Sequence, residues 1–273
     1  MEEMMDIGVS TACMFGRLHI EDAIREYGRL GIGTTEVFLN TFSEHDPVFI
    51  KKLRKTADDS GVKIVSVHGH GLAYEPNMFS GYDRSKKDSF DIFERVMDAA
   101  EALGADCYVF HGPAVLKRAR KLVLNFEKIG ETVSEAADAA KRRHVKFAYE
   151  NVHWCFFHYP GFAEELKKRV DNDNLYFVLD LKQAAQSGYD PMLYLDAMGT
   201  DRIANIHICD FVKQGRYVAP AMPFAGEMDF AALANRLKKD GYDSHIVLEV
   251  YSDNYKETEE LLGTAEKLRR LFT

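Results

Sequence analysis

At 273 residues, 46% hydrophobic and 29% charged, the chain can bury a sizeable core and fits one large α/β barrel or two small domains by size alone. Its 35 basic against 43 acidic residues leave a net charge of −8, a poor footing for nucleic-acid binding, which rests on Lys and Arg against phosphates. No apolar run approaches the roughly 20 residues needed to cross a bilayer, so no membrane partner is expected.

The opening Met-Glu-Glu-Met-Met-Asp is acidic and lacks the basic and apolar regions of a signal peptide, which sets the expectation of a cytoplasmic protein. Eight short β-rich runs then follow, at residues 7–14, 34–39, 64–70, 107–111, 146–150, 175–180, 203–209 and 246–251. Each is rich in Val, Ile, Phe or Tyr and too short for an ordinary helix. Helical periodicity fills the gaps at 21–30, 47–60, 85–103, 122–143, 162–170, 191–197, 229–239 and 256–271. Pro47 and Pro191 suit first-turn positions behind the N-caps Asp46 and Asp190. Gly31, Gly61, Gly104 and Gly241 fall where a left-handed cap stops a helix. Cys13, Cys107, Cys155 and Cys209 lie far apart with no C-x-x-C pair, and read as reduced, mostly buried thiols rather than a nucleophile.

Eight strand–helix units in strict alternation predict a parallel sheet covered by helices, and eight is the number that closes a (β/α)8 TIM barrel. An open doubly wound sheet is the competing fold, but no G-x-G-x-x-G follows the first strand. No Pro/Gly/Ser linker divides the chain, so residues 1–273 are expected to form a single domain. The connections 71–84 and 210–228 are far longer than usual βα loops and follow strands, which suggests loops that cover a substrate.

The strand ends carry the chemistry. Strand three ends in V-S-V-His68-Gly-His70, strand four in Y-V-F-His111, strand five in F-A-Y-Glu150-Asn151 and strand six in F-V-L-Asp180. Strand seven runs A-N-I-His207-Ile-Cys-Asp210, and strand eight I-V-L-Glu249. Each polar group ends an apolar run, where an unpaired charge is expensive to desolvate. A shared cation resolves this. With strand side chains alternating in and out, Glu150, Asp180, His207 and Glu249 can all project toward the barrel axis. Three oxygen donors and one nitrogen suit one divalent metal, Mn²⁺, Mg²⁺ or Co²⁺, with Zn²⁺ also compatible. The bland alternative is a water-filled network of hydrogen-bonded carboxylates.

At Y-E-N (149–151), V-L-D (178–180), I-H-I-C-D (206–210), P-F-A-G-E-M-D-F (223–230) and L-E-V (248–250), the sequence resembles the xylose isomerase-like TIM-barrel superfamily, also described as AP endonuclease family 2. That group holds sugar isomerases and epimerases, inosose dehydratases and zinc AP endonucleases of the endonuclease IV type. The resemblance spans essentially the whole chain. It implies that Glu150, Asp180, His207 and Glu249 are metal ligands, that His68 and His111 line the same pocket, and that a homo-oligomer is compatible. Two departures matter. Many relatives carry His three residues after the strand-six Asp, where this chain has Gln183, which can hydrogen-bond a hydroxyl or offer a carbonyl oxygen but cannot shuttle protons. No His occurs between His207 and His245, so a three-zinc nuclease site would lack imidazoles.

The leading expectation is therefore metal-dependent isomerisation or epimerisation of a sugar, sugar phosphate or related polyol beside its carbonyl. Glu150 and Glu249 would act as base and acid on two faces, as in similar family members. His68, His111 and Gln183 would grip hydroxyls. Arg216 is either a contact to a substrate oxygen or phosphate, or a solvated loop charge. Among the aromatics Phe15, Tyr74, Phe79, Trp154, Phe156, Phe157 and Phe224, Phe15 and Trp154 are expected in the pocket, and the others there or in barrel caps and subunit contacts. A keto-polyol dehydratase would share the site, an AP endonuclease would cut abasic DNA, and a sugar-binding barrel would need no carboxylate pair.

Overall fold

The computed structural model describes residues 7–115, 124–215 and 217–272. Eight parallel strands close into a barrel: β1 (Ile7–Ser10), β2 (Thr34–Phe38), β3 (Lys63–His68), β4 (Cys107–Phe110), β5 (Lys146–Glu150), β6 (Leu175–Asp180), β7 (Ile203–Ile208) and β10 (His245–Leu248). β1 pairs with both β2 and β10, so the sheet has no edge. Two further strands, β8 (Asp210–Gln214) and β9 (Tyr217–Ala221), form an antiparallel hairpin outside the barrel.

The helices are α1 (Ile20–Leu30), α2 (Pro47–Ser60), α3 (Glu75–Met78), α4 (Asp83–Leu103), α5 (Phe126–Lys141), α6 (Gly161–Lys167), α7 (Leu181–Gln186), α8 (Pro191–Met198), α9 (Phe230–Asp240) and α10 (Glu259–Phe272). Asp46 and Asp190 cap α2 and α8 through Val48 N and Met192 N, with Pro47 and Pro191 in the first turns. All four glycines expected at helix ends adopt the left-handed conformation there, Gly61 at φ 67° among them. Strands β5 and β6 have the expected bounds, whereas the first run stops at Ser10. Residues 11–14 turn into a 3₁₀ helix (Thr11–Met14) in which Thr11, Cys13 and Met14 stay buried, which is why the apolar run continues.

Side chains alternate across the barrel wall with period two. Val37, Val67, Tyr108, Phe110, Phe147, Tyr149, Phe177, Leu179 and Ile206 belong to one large core with the surrounding helices. Cys107, Val109, Ala148, Val178 and Ala204 form a separate small cluster, the apolar filling of the barrel interior. Beside that filling lies a polar layer, Ser10, Glu36, Ser66 and Asn205, all 0% exposed. Two residues further along β3 and β7 come His68 and His207, so the interior becomes more polar toward the carboxyl ends of the strands.

The long connections have structure of their own. Between β3 and α4, Glu75 on α3 is buried and accepts hydrogen bonds from His111 N (2.9 Å), Gly112 N (2.7 Å) and Tyr108 Oη (2.6 Å), tying this loop to the end of β4. After β7, Asp210 accepts from Phe211 N, Gly226 N and Met228 N, closing the base of the β8–β9 excursion. All four cysteines are buried and free, and burial pushes their thiols up, Cys209 to about 12. Among the described residues no helix is long and apolar enough to cross a membrane.

Candidate metal centre

The four strand-end groups meet. Glu150, Asp180, His207 and Glu249 each offer one donor atom, and these atoms all lie within 4.8 Å of one another. His207 Nδ1 is 3.0 Å from Glu150 Oε1 and 3.3 Å from Glu249 Oε2. Glu150, Asp180 and His207 are buried, and the Glu249 side chain is 15% exposed. The backbone holds them stiffly. Asn151 donates to Asp180 O (2.9 Å) and accepts from Asp180 N (2.8 Å), locking the end of β5 to the end of β6. Asp180 Oδ1 caps α7 by accepting from Gln183 N (2.7 Å), while Oδ2 is buried without a hydrogen-bond partner.

Electrostatics follow from three carboxylates around one imidazole. Burial pushes the Glu249 carboxyl up, but the neighbouring His207 overrides it and brings it down to about 2. Burial likewise raises Glu150, and His111 and His207 hold it well below its ordinary range. Asp180 is pushed up to about 6 by burial, with Lys182 opposing, Glu150 and Glu249 adding, and His207 opposing more weakly. Burial disfavours a charged His207, yet Glu36, Glu249 and Glu150 together hold it well above the usual imidazole range.

A donor set of three carboxylates and an imidazole, in which the buried Glu150 Oε2 and Asp180 Oδ2 accept no hydrogen bond of good geometry, fits a divalent cation. Glu150 also faces a second group. His111 Nε2 lies 2.7 Å from Glu150 Oε2 and 2.8 Å from His68 Nε2, and donor atoms of His68, His111 and Glu150 again fall within 4.8 Å. Burial pulls His68 down, but Glu150 raises it to about 9. Phe38 stacks on its ring at 4.3 Å.

Glu150 and Glu249 open onto a cavity of about 380 Å³ at the strand ends, while Asp180 and His207 are buried and not part of its lining. His68, His111, Gln183, Trp154 and Phe15 line it as expected. Gln183 is more restricted than its chemistry allows in isolation. Its Oε1 accepts from His153 N (3.1 Å) and contacts His153 Nδ1 (2.5 Å), so its amide hydrogens are what remains for a ligand. Arg216 lies outside the described residues.

The other aromatics divide differently from expectation. Tyr74 and Phe157 are wholly buried in the core between barrel and helices, and Phe79 and Phe156 pack partly buried against it. Phe224 is 48% exposed and rests on Phe230. No described residue of 210–228 lines the cavity, so that excursion does not cover it in this structure. A larger groove of about 560 Å³ lies between α2 and α4, walled by the surface ion pairs Arg54–Asp58 and Lys55–Asp59, and shares no lining residue with the strand-end cavity.

Two groups escaped the sequence reading. Lys182 lines the cavity, is only 3% exposed, and sits 3.3 Å from Tyr251 Oη and 3.5 Å from Asp180 Oδ2. Its position inside D-L-K-Q, one residue before Gln183, was the available signal. Glu36, in the middle of T-T-E-V-F, contacts His207 Nε2 at 3.0 Å. A carboxylate amid strand formers on β2 was the only clue.

Comparisons with known proteins agree with the barrel fold. The chain overlays D-psicose 3-epimerase from Clostridium cellulolyticum H10, solved with D-tagatose, at TM-score 0.77 and 16% identity, covering 98% of this chain and 96% of that one. It overlays the IOLI protein with a bound zinc atom at TM-score 0.80 and 19% identity, and 3-keto-D-glucoside 4-epimerase from E. coli at 0.72 and 16%, each covering 98% of both chains. At such identities these likenesses show the fold alone. A comparison with curated protein sequences finds no match. The family described as xylose isomerase-like TIM barrel matches residues 22–271, and the chain belongs to it.

Proposed function

We propose that this protein is a metal-dependent isomerase or epimerase acting on a sugar or related polyol at a carbon beside a carbonyl. One observation carries the reading: two carboxylates from separate strands, Glu150 and Glu249, flank a common donor, His207 Nδ1, at the floor of a sugar-sized cavity. Glu150, Asp180, His207 and Glu249 would hold one divalent cation, which supplies Lewis acidity to substrate oxygens when bound.

The chain's own residues do the rest. The Glu150 and Glu249 carboxyls are both held ionised in the resting site; one takes a proton from one face of the substrate carbon, and the other, once it has picked up a proton from solvent, returns that proton to the opposite face. The Gln183 amide and His111 donate to substrate hydroxyls. Lys182 has three N–H donors and, among the described residues, two neighbouring acceptors, Tyr251 Oη and Asp180 Oδ2, which leaves one donor for a substrate oxygen. Trp154 and Phe15 offer apolar faces to the sugar ring and exclude water. The names of the structural neighbours, among them D-psicose 3-epimerase and 3-keto-D-glucoside 4-epimerase, support a sugar as the substrate class.

The test is a metal-supplemented panel of ketoses, aldoses and keto-inositols followed by NMR in D₂O. Deuterium entering next to the carbonyl supports the reading, and its loss in Glu150→Gln and Glu249→Gln assigns the pair. Loss of water from the substrate would make the protein a dehydratase. No exchange and no turnover across the panel with metal bound would refute the assignment.

A further inference from the structure

The polar layer beneath the cation site contains a buried acid that the chemistry above does not use. Glu36 is 0% exposed in the barrel interior, and its oxygens are not among those that converge with Glu150, Asp180 and Glu249. An ionised carboxylate in such a place is costly to bury unless its lone pairs are met. They are. Ser10 Oγ donates to Oε1 at 3.2 Å. Ser66 Oγ (2.7 Å), Asn205 Nδ2 (3.2 Å) and His207 Nε2 (3.0 Å) all converge on Oε2.

The consequence falls on the imidazole. His207 has two ring nitrogens, one toward Glu36 and the other toward Glu150 and Glu249. Carboxylates face both nitrogens; when a cation takes the place of the proton on the Nδ1 side, Glu36 at 3.0 Å accepts from Nε2, keeps the hydrogen there and leaves the Nδ1 lone pair to the ion. Asn205 Nδ2 also lies 3.3 Å from Nε2 and would favour the opposite tautomer. Its two hydrogens, however, are directed at Glu36 Oε2 and Ser66 Oγ. The charged, shorter contact wins.

We propose that Glu36 is a positioning residue: through Nε2 it fixes the ring and tautomer of His207 so that Nδ1 presents its lone pair to a divalent cation. The inference rests on the metal reading above and adds to it the group that makes His207 a ligand rather than a donor. Its charge also reaches the ion through the ring, raising the basicity of Nδ1. Because Glu36 sits on β2, a strand that supplies none of the four converging donors, the site depends on a part of the sheet that the ligand pattern does not mark.

The experiment is titration of metal-free wild type and Glu36→Gln with Co²⁺, read by calorimetry and by the visible d–d spectrum, beside the thermal midpoint of each metal-free protein. Gln keeps the size and one oxygen acceptor but not the charge. The expected result is a loss of about 10–100-fold in Co²⁺ affinity with an altered spectrum. A purely structural Glu36 would lower the midpoint and leave affinity and spectrum at wild-type values, which overturns the proposal. Wild type that binds no Co²⁺ would instead sink the metal reading itself. Should the variant not fold, long-range ¹H–¹⁵N correlation on zinc-loaded wild type decides: hydrogen on Nε2 of His207 supports the proposal, and hydrogen on Nδ1 refutes it.

Discussion

Glu75→Ala should be among the most damaging single substitutions outside the candidate site. The Glu75 carboxylate accepts three hydrogen bonds, from the backbone N–H groups of His111 and Gly112 and from the Tyr108 hydroxyl. All lie where Glu75 itself is 1% exposed, so the donors left behind meet little water. Each stranded donor costs about 1–3 kcal/mol, which sums to about 3–6 kcal/mol once partial hydration is allowed. Gly71 packs directly against this carboxyl and cannot collapse to fill the space with a side chain. Glu75→Gln keeps one carbonyl oxygen but turns an amide toward remaining donors, and should lose about half as much. Urea denaturation of metal-free protein measures both. A loss below about 1 kcal/mol for the alanine variant would show that the loop is held by other means and would refute the reasoning.

His45 is buried, its Nε2 lacks a partner, and burial, followed by the charges of Arg95 and His70, lowers it to about 4 from an ordinary 6.5. Its depressed folded value means that the stability it permits is complete above pH 6.5 and drains away toward pH 4. We expect a loss of about 2–3 kcal/mol across that window, absent in His45→Gln, measured by denaturation at stepped pH. Gly112→Ala should destabilise by about 2–4 kcal/mol, because the residue sits at φ 72° and a Cβ there collides with the Tyr149 hydroxyl; thermal melts check it. Lys182→Met removes a positive charge 3.5 Å from Asp180 and should tighten Mn²⁺ binding by ~3–10-fold in calorimetry. The same variant should slow the proposed proton exchange by about 10–100-fold, the worth of one charged hydrogen bond.

The barrel was readable because its strands alternate with helices whose caps are chemically explicit, as at Asp46-Pro47 and Gly61. The candidate cation site was readable because its residues end apolar runs, where an acid or imidazole stands out. The rest hid for definable reasons. Asp180 ends β6 and is the N-cap of α7, so no loop separates strand from helix, and the six-residue helix has no apolar period long enough to see. The β8–β9 hairpin carries Asp, Lys, Gln and Pro, and it pairs only with itself, so no core-facing alternation marks it. Tyr74 and Phe157 follow strands, which suggested a rim position, but whether a loop aromatic turns inward depends on tertiary packing. Glu36 shows the deeper limit: its meaning comes from Ser10, Ser66, Asn205 and His207 on three other strands, distances along the chain of 26 to 171 residues.

The clasp formed by Asp210 has a consequence for how this scaffold can change. Three main-chain amides gathered on one carboxylate pin both ends of the outer ribbon to the exit of β7, and Gly226 fits there only because it has no side chain to strike Asp210. Between those anchor points β9 touches the rest of the molecule through the hydrogen bonds that Val218 O accepts from Gln186 and Pro220 O from Asn254. A change of length or sequence at the tip of the ribbon is therefore absorbed outside the cylinder, provided that Asp210, Gly226 and these two contacts are kept.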